Sequence, residues 1–122
     1  MTIEEFLAEM REHEAWRWEG EIDIHSHDST GDTPLHWALW RSDDQLTKAL
    51  VEAGVDVNSR GEDGFTPLHV AVAQENAAMA RYLAAAGASW GAVNEFGQSP
   101  LERAKQADSP EMRQLALGAE PI

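Results

Sequence analysis

Thr33-Pro34-Leu35-His36 returns as Thr66-Pro67-Leu68-His69 and, in altered form, as Ser99-Pro100-Leu101-Glu102, each copy 33 residues after the last. The same step holds outward from the motif. Gly31, Gly64 and Gly97 precede it, Ala38, Ala71 and Ala104 follow it, Gly54 matches Gly87, and Asp23-Ile24 matches Asp56-Val57. Self-similarity at a period of roughly 20–50 residues marks stacked units, each burying its apolar face against the next.

The residue types explain the unit. Thr33, Thr66 and Ser99 carry hydroxyls that cap the first free N–H groups of a helix. The proline after each sits at the first helical position, where a missing N–H costs nothing. Leu35, Ala38 and Leu39 then share one helical face, as do Leu68, Ala71 and Val72. Ser42-Asp43-Asp44-Gln45 reads as a capping box opening a second helix, with Leu46, Ala49 and Leu50 inward. Asn76 caps the matching helix that carries Met79, Tyr82 and Leu83. Gly54 and Gly87 supply the left-handed residue that ends each second helix. Asn58-Ser59-Arg60-Gly61-Glu62-Asp63-Gly64 is a dense turn signal, expected to form a hairpin-like finger.

A period of 33 with T-P-L-H resembles the ankyrin-repeat family, through about three quarters of the chain in register. The resemblance implies an all-α solenoid of helix–turn–helix units with projecting hairpin-like loops. It divides one domain, 1–122, into an N-terminal cap or degenerate repeat (1–27), two full repeats (28–60 and 61–93) and a C-terminal capping repeat (94–122). It also implies that His36 and His69 brace neighbouring loops by hydrogen bonding. Glu102 replaces that histidine in the third unit, where the brace is expected to be lost or altered.

The ends depart from the period. Thr2-Ile3-Glu4-Glu5 is a capping box, and Ile3, Phe6, Leu7 and Met10 form an apolar stripe. Residues 11–18 contain neither Gly nor Pro, so one long helix and a helix pair both remain open. Trp16 and Trp18 are expected to close this cap against the first full repeat. Ser109-Pro110-Glu111 starts a last helix through Met112, Leu115 and Leu117, and residues 118–122 are expected to fray. Polar Glu102, Arg103 and Lys105 suit a solvent-facing end unit.

Twenty-two acids against nine Lys and Arg leave a formal charge of −13. That disfavours nucleic acid, whose sequence-independent grip needs cations to displace counterions, and anionic membranes likewise. Ten of the acids and only two of the bases lie in residues 1–32, so a second, electrostatic surface competes there with a plain solvated helix face. No apolar run is long enough to span a bilayer. The acidic start lacks the basic and apolar regions of a secretory signal. The absence of cysteine excludes disulfides and thiol chemistry and agrees with a reducing, cytoplasmic compartment. A chain starting at Met1, rich in Trp and Arg over Lys, reads as a complete small bacterial protein.

Catalysis finds no support: no nucleophile elbow, phosphate-binding glycine loop or metalloprotease helix occurs. The acid pairs Glu4-Glu5 and Asp43-Asp44 sit at helix starts, where the macrodipole favours negative charge. His25-Ser26-His27-Asp28 offers two imidazoles and a carboxylate, but no fourth ligand is evident, and His13 would have to return from the first helix. The expectation is therefore no catalytic residue, no cofactor and no metal.

In the family that the repeats resemble, binding falls on the loops and on the outer face of the first helices. Transferred position by position, the exposed candidates are Ser29, Thr30 and Asp32, then Trp40 and Arg41. One repeat on come Arg60, Glu62, Asp63 and Phe65, with Ala73 and Gln74; the third unit adds Glu95, Phe96 and Gln98. Trp37 is assigned to core packing and Trp90 to a loop base, where Gly91 in place of Asn58 points to an altered finger. Trp40, Phe65 and Phe96 among acids have the make-up of an interface hot spot, the alternative being that the two phenylalanines fold back onto their loops. The expected function is non-catalytic binding of a protein with a basic surface, by a monomer. An immunity or inhibitor protein against a toxic enzyme and an adaptor bridging two proteins are its two narrower forms.

Overall fold

The computed structural model describes residues 1–16 and 20–119. Among them are seven α-helices and no strand: α1 (Ile3–Arg11), α2 (Pro34–Trp40), α3 (Asp44–Glu52), α4 (Pro67–Ala73), α5 (Ala77–Ala85), α6 (Pro100–Lys105) and α7 (Pro110–Ala119). The repeated threonines begin helices as their chemistry requires. Thr33 and Thr66 Oγ1 accept from the N–H groups of His36 and His69, and Ser99 Oγ does the same for Glu102. Gly54 and Gly87, at φ +99° and +106°, follow the ends of α3 and α5 in the left-handed region that side chains disfavour.

Two local expectations shift by one residue. The cap of α3 is Asp43, whose carboxylate accepts from Leu46 N–H at 3.0 Å, not Ser42. Ser42 instead takes φ +58°, the left-handed link between paired helices that Glu75 provides at φ +53°. In α7 the buried residues are Met112 and Ala116, one helical turn apart, while Leu117 points outward and is 63% exposed. The helix also continues through Gly118 to Ala119 rather than fraying at 118.

Stacking gives the layers. α2 packs on α4 and α4 on α6, each paired with the helix that follows it; α5 also meets α7, and α1 covers α3. Leu35, Leu39, Leu46, Leu50, Leu68, Val72, Met79 and Leu83 form the continuous core. Burying each leucine fully contributes about 1.5–3 kcal/mol relative to exposure. Phe6, Met10 and Trp16 close one end of this core, and Ala104, Met112 and Ala116 the other. α1 stops at Arg11 and a single 3-10 turn, Glu14–Trp16, follows, which removes the single long helix. Trp18, the other expected capping residue, lies outside the described residues.

The fingers are hairpin-like without strands. Each closes with two backbone bonds at the same repeat positions: Asp28 N–H to Asp32 O, Gly61 N–H to Phe65 O and Asn94 N–H to Gln98 O at 2.7–2.9 Å, and, in return, Gly31, Gly64 and Gly97 N–H to Asp28, Gly61 and Asn94 O at 3.0–3.1 Å. A further bond, Glu95 N–H to Asp63 O at 2.9 Å, joins the second finger to the third.

Candidate functional site

The T-P-L-H histidines hold one unit to the next. His36 Nδ1 accepts from Thr33 N–H at 3.2 Å, which leaves the proton on Nε2, and Nε2 donates to Phe65 O at 2.8 Å. His69 repeats the arrangement, accepting from Thr66 N–H and donating to Gln98 O at 2.9 Å. Burial pushes both imidazoles below their ordinary value, and for His69 the nearby Arg60 charge adds to this. Both are neutral structural braces. Glu102, in the same position of the last unit, turns back toward the hydroxyl of its own cap, Ser99.

Between the first finger, α2 and the N-terminal cap lies a groove of about 360 Å³, lined by His13, Ala15, Asp28, Thr30, Asp32, Trp37, Trp40, Arg41 and Glu62. Asp28, buried in the loop, organises one side. Its Oδ1 accepts from Thr30 N–H, Thr30 Oγ1 and Asp32 N–H, and its Oδ2 takes the indole N–H of Trp37 at 2.7 Å. The Trp37 ring meets the edge of His13, centroids 4.5 Å apart, and Trp16 at 5.8 Å. Aromatic pairs at these separations lock ring orientation. Trp40 stands at the end of α2, 47% exposed. Arg41, beside it, pairs with Glu9 at 3.0 Å and lies over the Phe6 ring.

The family model described as ankyrin repeats, in three copies, matches residues 3–94 and again 41–121. The chain belongs to the ankyrin-repeat family. No curated relative matches it. Ankyrin repeats generally serve as protein–protein interaction modules rather than catalysts. Among the described residues, no helix is long and apolar enough to cross a membrane.

Five of the expected binding residues come together in the ankyrin groove: Thr30, Asp32, Trp40, Arg41 and Glu62. Asp32 was expected to be exposed and is buried instead, because its Oδ1 accepts from the N–H of Glu62 in the next finger at 2.8 Å. Gln74 is half-buried, its amide bonded to Trp40 O at 3.2 Å. Phe65 and Phe96 do not line the groove. Phe65 is half-buried against His69, ring centroids 5.4 Å apart, whereas Phe96 is 65% exposed on the third finger. Arg60 ties fingers together through the carbonyls of Gly64 and Val93, with Asp63 and Glu95 exposed beside it.

Four groove residues were not among the expected site residues: His13, Ala15, Asp28 and Trp37. Trp37 does pack against the core, as assigned, but its polar edge belongs to the groove wall. Asp28 could have been found from the period, since Asn94, two repeats on, makes the same loop bonds to Phe96 and Gln98 N–H. His13 lies before the repeats begin, and no periodic signal reaches it. His25 and His27 are exposed, with His27 Nδ1 2.7 Å from Gly31 O. Among the described residues, no three His, Cys, Asp or Glu side chains converge as metal ligands.

Proposed function

We propose that this ankyrin protein binds a partner protein of basic surface through its concave side, with the groove beside Trp37 and Trp40 as the anchor point. The observation carrying the reading is the groove itself: two indoles rimmed by Asp32 and Glu62, in a chain of net charge −13. Exposed aromatics inside a polar rim are the usual source of interface affinity, and acids around them speed encounter with a basic surface. Arg60, Asp63, Glu95 and Phe96 extend this surface along the fingers, and Gln74 supports Trp40 from the next repeat.

The proposal includes a monomer acting in the cytoplasm, where a chain without cysteine needs no oxidising environment. Its narrower form is an immunity or inhibitor protein whose concave side covers a toxic enzyme. The adaptor form draws on a second surface, for which exposed Leu117 on α7 is the best candidate.

The test is affinity capture from the native lysate at low and high salt, using wild type and the Trp40→Ala/Glu62→Gln variant, with circular dichroism to verify folding. A dominant basic protein that is weakened by salt and lost with the variant is the expected result. Capture that ignores both changes overturns the reading. Loss of the captured enzyme's activity marks an inhibitor; simultaneous retention of a second protein that Leu117→Ser releases marks an adaptor.

A further inference from the structure

We infer that the groove beside Trp37 and Trp40 is a receptor for a single arginine side chain of the partner. This rests on the concave-side reading above and narrows it to one chemical group.

The argument begins with what each charge near the groove is doing. Asp28 carries a full set of donors, four in all, so its carboxylate is committed to the loop and to Trp37. Asp32 uses Oδ1 for Glu62 N–H, and no hydrogen bond to its Oδ2 is found among the described residues. The Glu62 side chain is exposed and has no cationic partner among them; the ion pair found there is Arg41–Glu9. Among the described residues, the one Lys or Arg lining the groove is Arg41, and it is already paired with Glu9 and lies over the Phe6 ring. Among the described residues these two carboxylates have no cationic partner, and the bond between Glu62 N–H and Asp32 Oδ1 fixes the backbone of one to the side chain of the other.

The walls select among cations. Trp37 is fixed by its bond to Asp28 and by His13, so a flat indole is in place before any ligand arrives. Trp40 adds a second, exposed indole. A guanidinium is planar, stacks on indole faces and still donates sideways to carboxylates, whereas an ammonium keeps a tightly bound hydration shell. A groove of about 360 Å³ that is open to solvent admits an extended side chain from a partner's surface. The same carboxylates repel phosphate groups and acidic peptides.

The probes are three blocked pentapeptides with glycine on both sides of a central arginine, lysine or citrulline, titrated into the full chain labelled with ¹⁵N. Citrulline keeps the shape of arginine and removes its charge. The arginine peptide is expected to move the indole N–H signals of Trp37 and Trp40 while that of Trp90, which does not line the groove, stays in place. Affinity for lysine is expected to be about tenfold lower, with no saturable shift for citrulline. Glu62→Gln and Trp40→Ala, both at exposed positions, are expected to weaken the arginine response at least several-fold with unchanged circular dichroism. Equal response to lysine or citrulline, or shifts centred away from the two indoles, overturns the inference. If lysate capture still depends on Trp40 and Glu62 in that case, the concave-side reading stands and only the arginine receptor falls.

Discussion

The carboxylate of Asp32 fills the place that a side chain at Gly61 would take. A β-carbon built on Gly61 would overlap Asp32 Oδ1 and lie 2.8 Å from His36 Nε2. The repeat positions explain the arrangement. Asp28 and Asn94 accept the N–H groups two and four residues on in their own fingers; Gly61, between them in register, has no side chain to do so, and its space is taken by Asp32 of the preceding finger, which accepts from Glu62 N–H. One substitution thus couples two repeats and shapes the groove rim.

Gly61→Ala is therefore expected to destabilise the fold by about 1–3 kcal/mol, the range for forcing an extra carbon into packed surroundings. Its neighbours are a buried carboxylate and a buried imidazole, neither of which can yield without losing a bond. The urea midpoint should fall with the slope unchanged. An unaltered midpoint would mean that the loop opens at no cost.

The brace histidines predict an acid-sensitive fold. Burial lowers the values of His36 and His69, against the pull of the Phe65 and Gln98 carbonyls and of Asp32 and Asp28 beside His36; His27 and Arg60 add to the lowering. The unfolded chain then takes up protons at these positions at higher pH than the folded one. Stability is fully present above about pH 6.5, the ordinary histidine value, and is lost as pH falls below it toward the folded values. Melting temperature is expected to drop between pH 7.5 and 5.5, before ordinary carboxylates titrate. The His36→Gln/His69→Gln variant, less stable at neutral pH, should show a flatter dependence across that window.

Much of this was legible in the period alone. The step of 33 residues placed the helix caps and related the brace from His36 to Phe65 to that from His69 to Gln98. It also contained the correct cap of α3, since Asn76 less one period is Asp43; the Ser-x-x-Gln pattern pulled the reading one residue early. What the period could not carry is contact between unlike positions. Asp32 reaching under Gly61, and His13 arriving from the irregular N-terminal cap to meet Trp37, depend on how neighbouring fingers lie in space. Phe65 read as an anchor because its position is exposed in the generic unit, yet here it rests on His69.

Asp28 should prove more important than its loop position implies. Asp28→Ala strands the N–H groups of Thr30, Asp32 and Trp37, and is expected to cost about 3 kcal/mol, since each unsatisfied buried donor costs roughly 1–3 kcal/mol. Asp28→Asn keeps a carbonyl for the loop, as Asn94 does in the third finger, but turns an amide NH₂ toward the Trp37 N–H. The asparagine variant should lie between the other two in urea midpoint, with the Trp37 indole proton moved away from its hydrogen-bonded position. If both variants matched wild type, Asp28 would not be the group that orients Trp37.

Asn58 and Gly91 occupy equivalent positions and predict opposite sensitivities. The Asn58 amide donates to Gly87 O at 3.1 Å and accepts from Ser89 N–H at 2.8 Å, strapping its repeat to the next. Gly91, near the end of the second full repeat, has no side chain to strap that repeat to the C-terminal unit, and a side chain there would meet open space. Asn58→Ala removes two bonds at a partly exposed junction and should cost about 1–2 kcal/mol. Gly91→Asn should stay within about 0.5 kcal/mol of wild type, as surface changes away from specific contacts do. Parallel urea titrations decide it: equal effects of the two substitutions would show that Asn58 acts locally and not as a link between repeats.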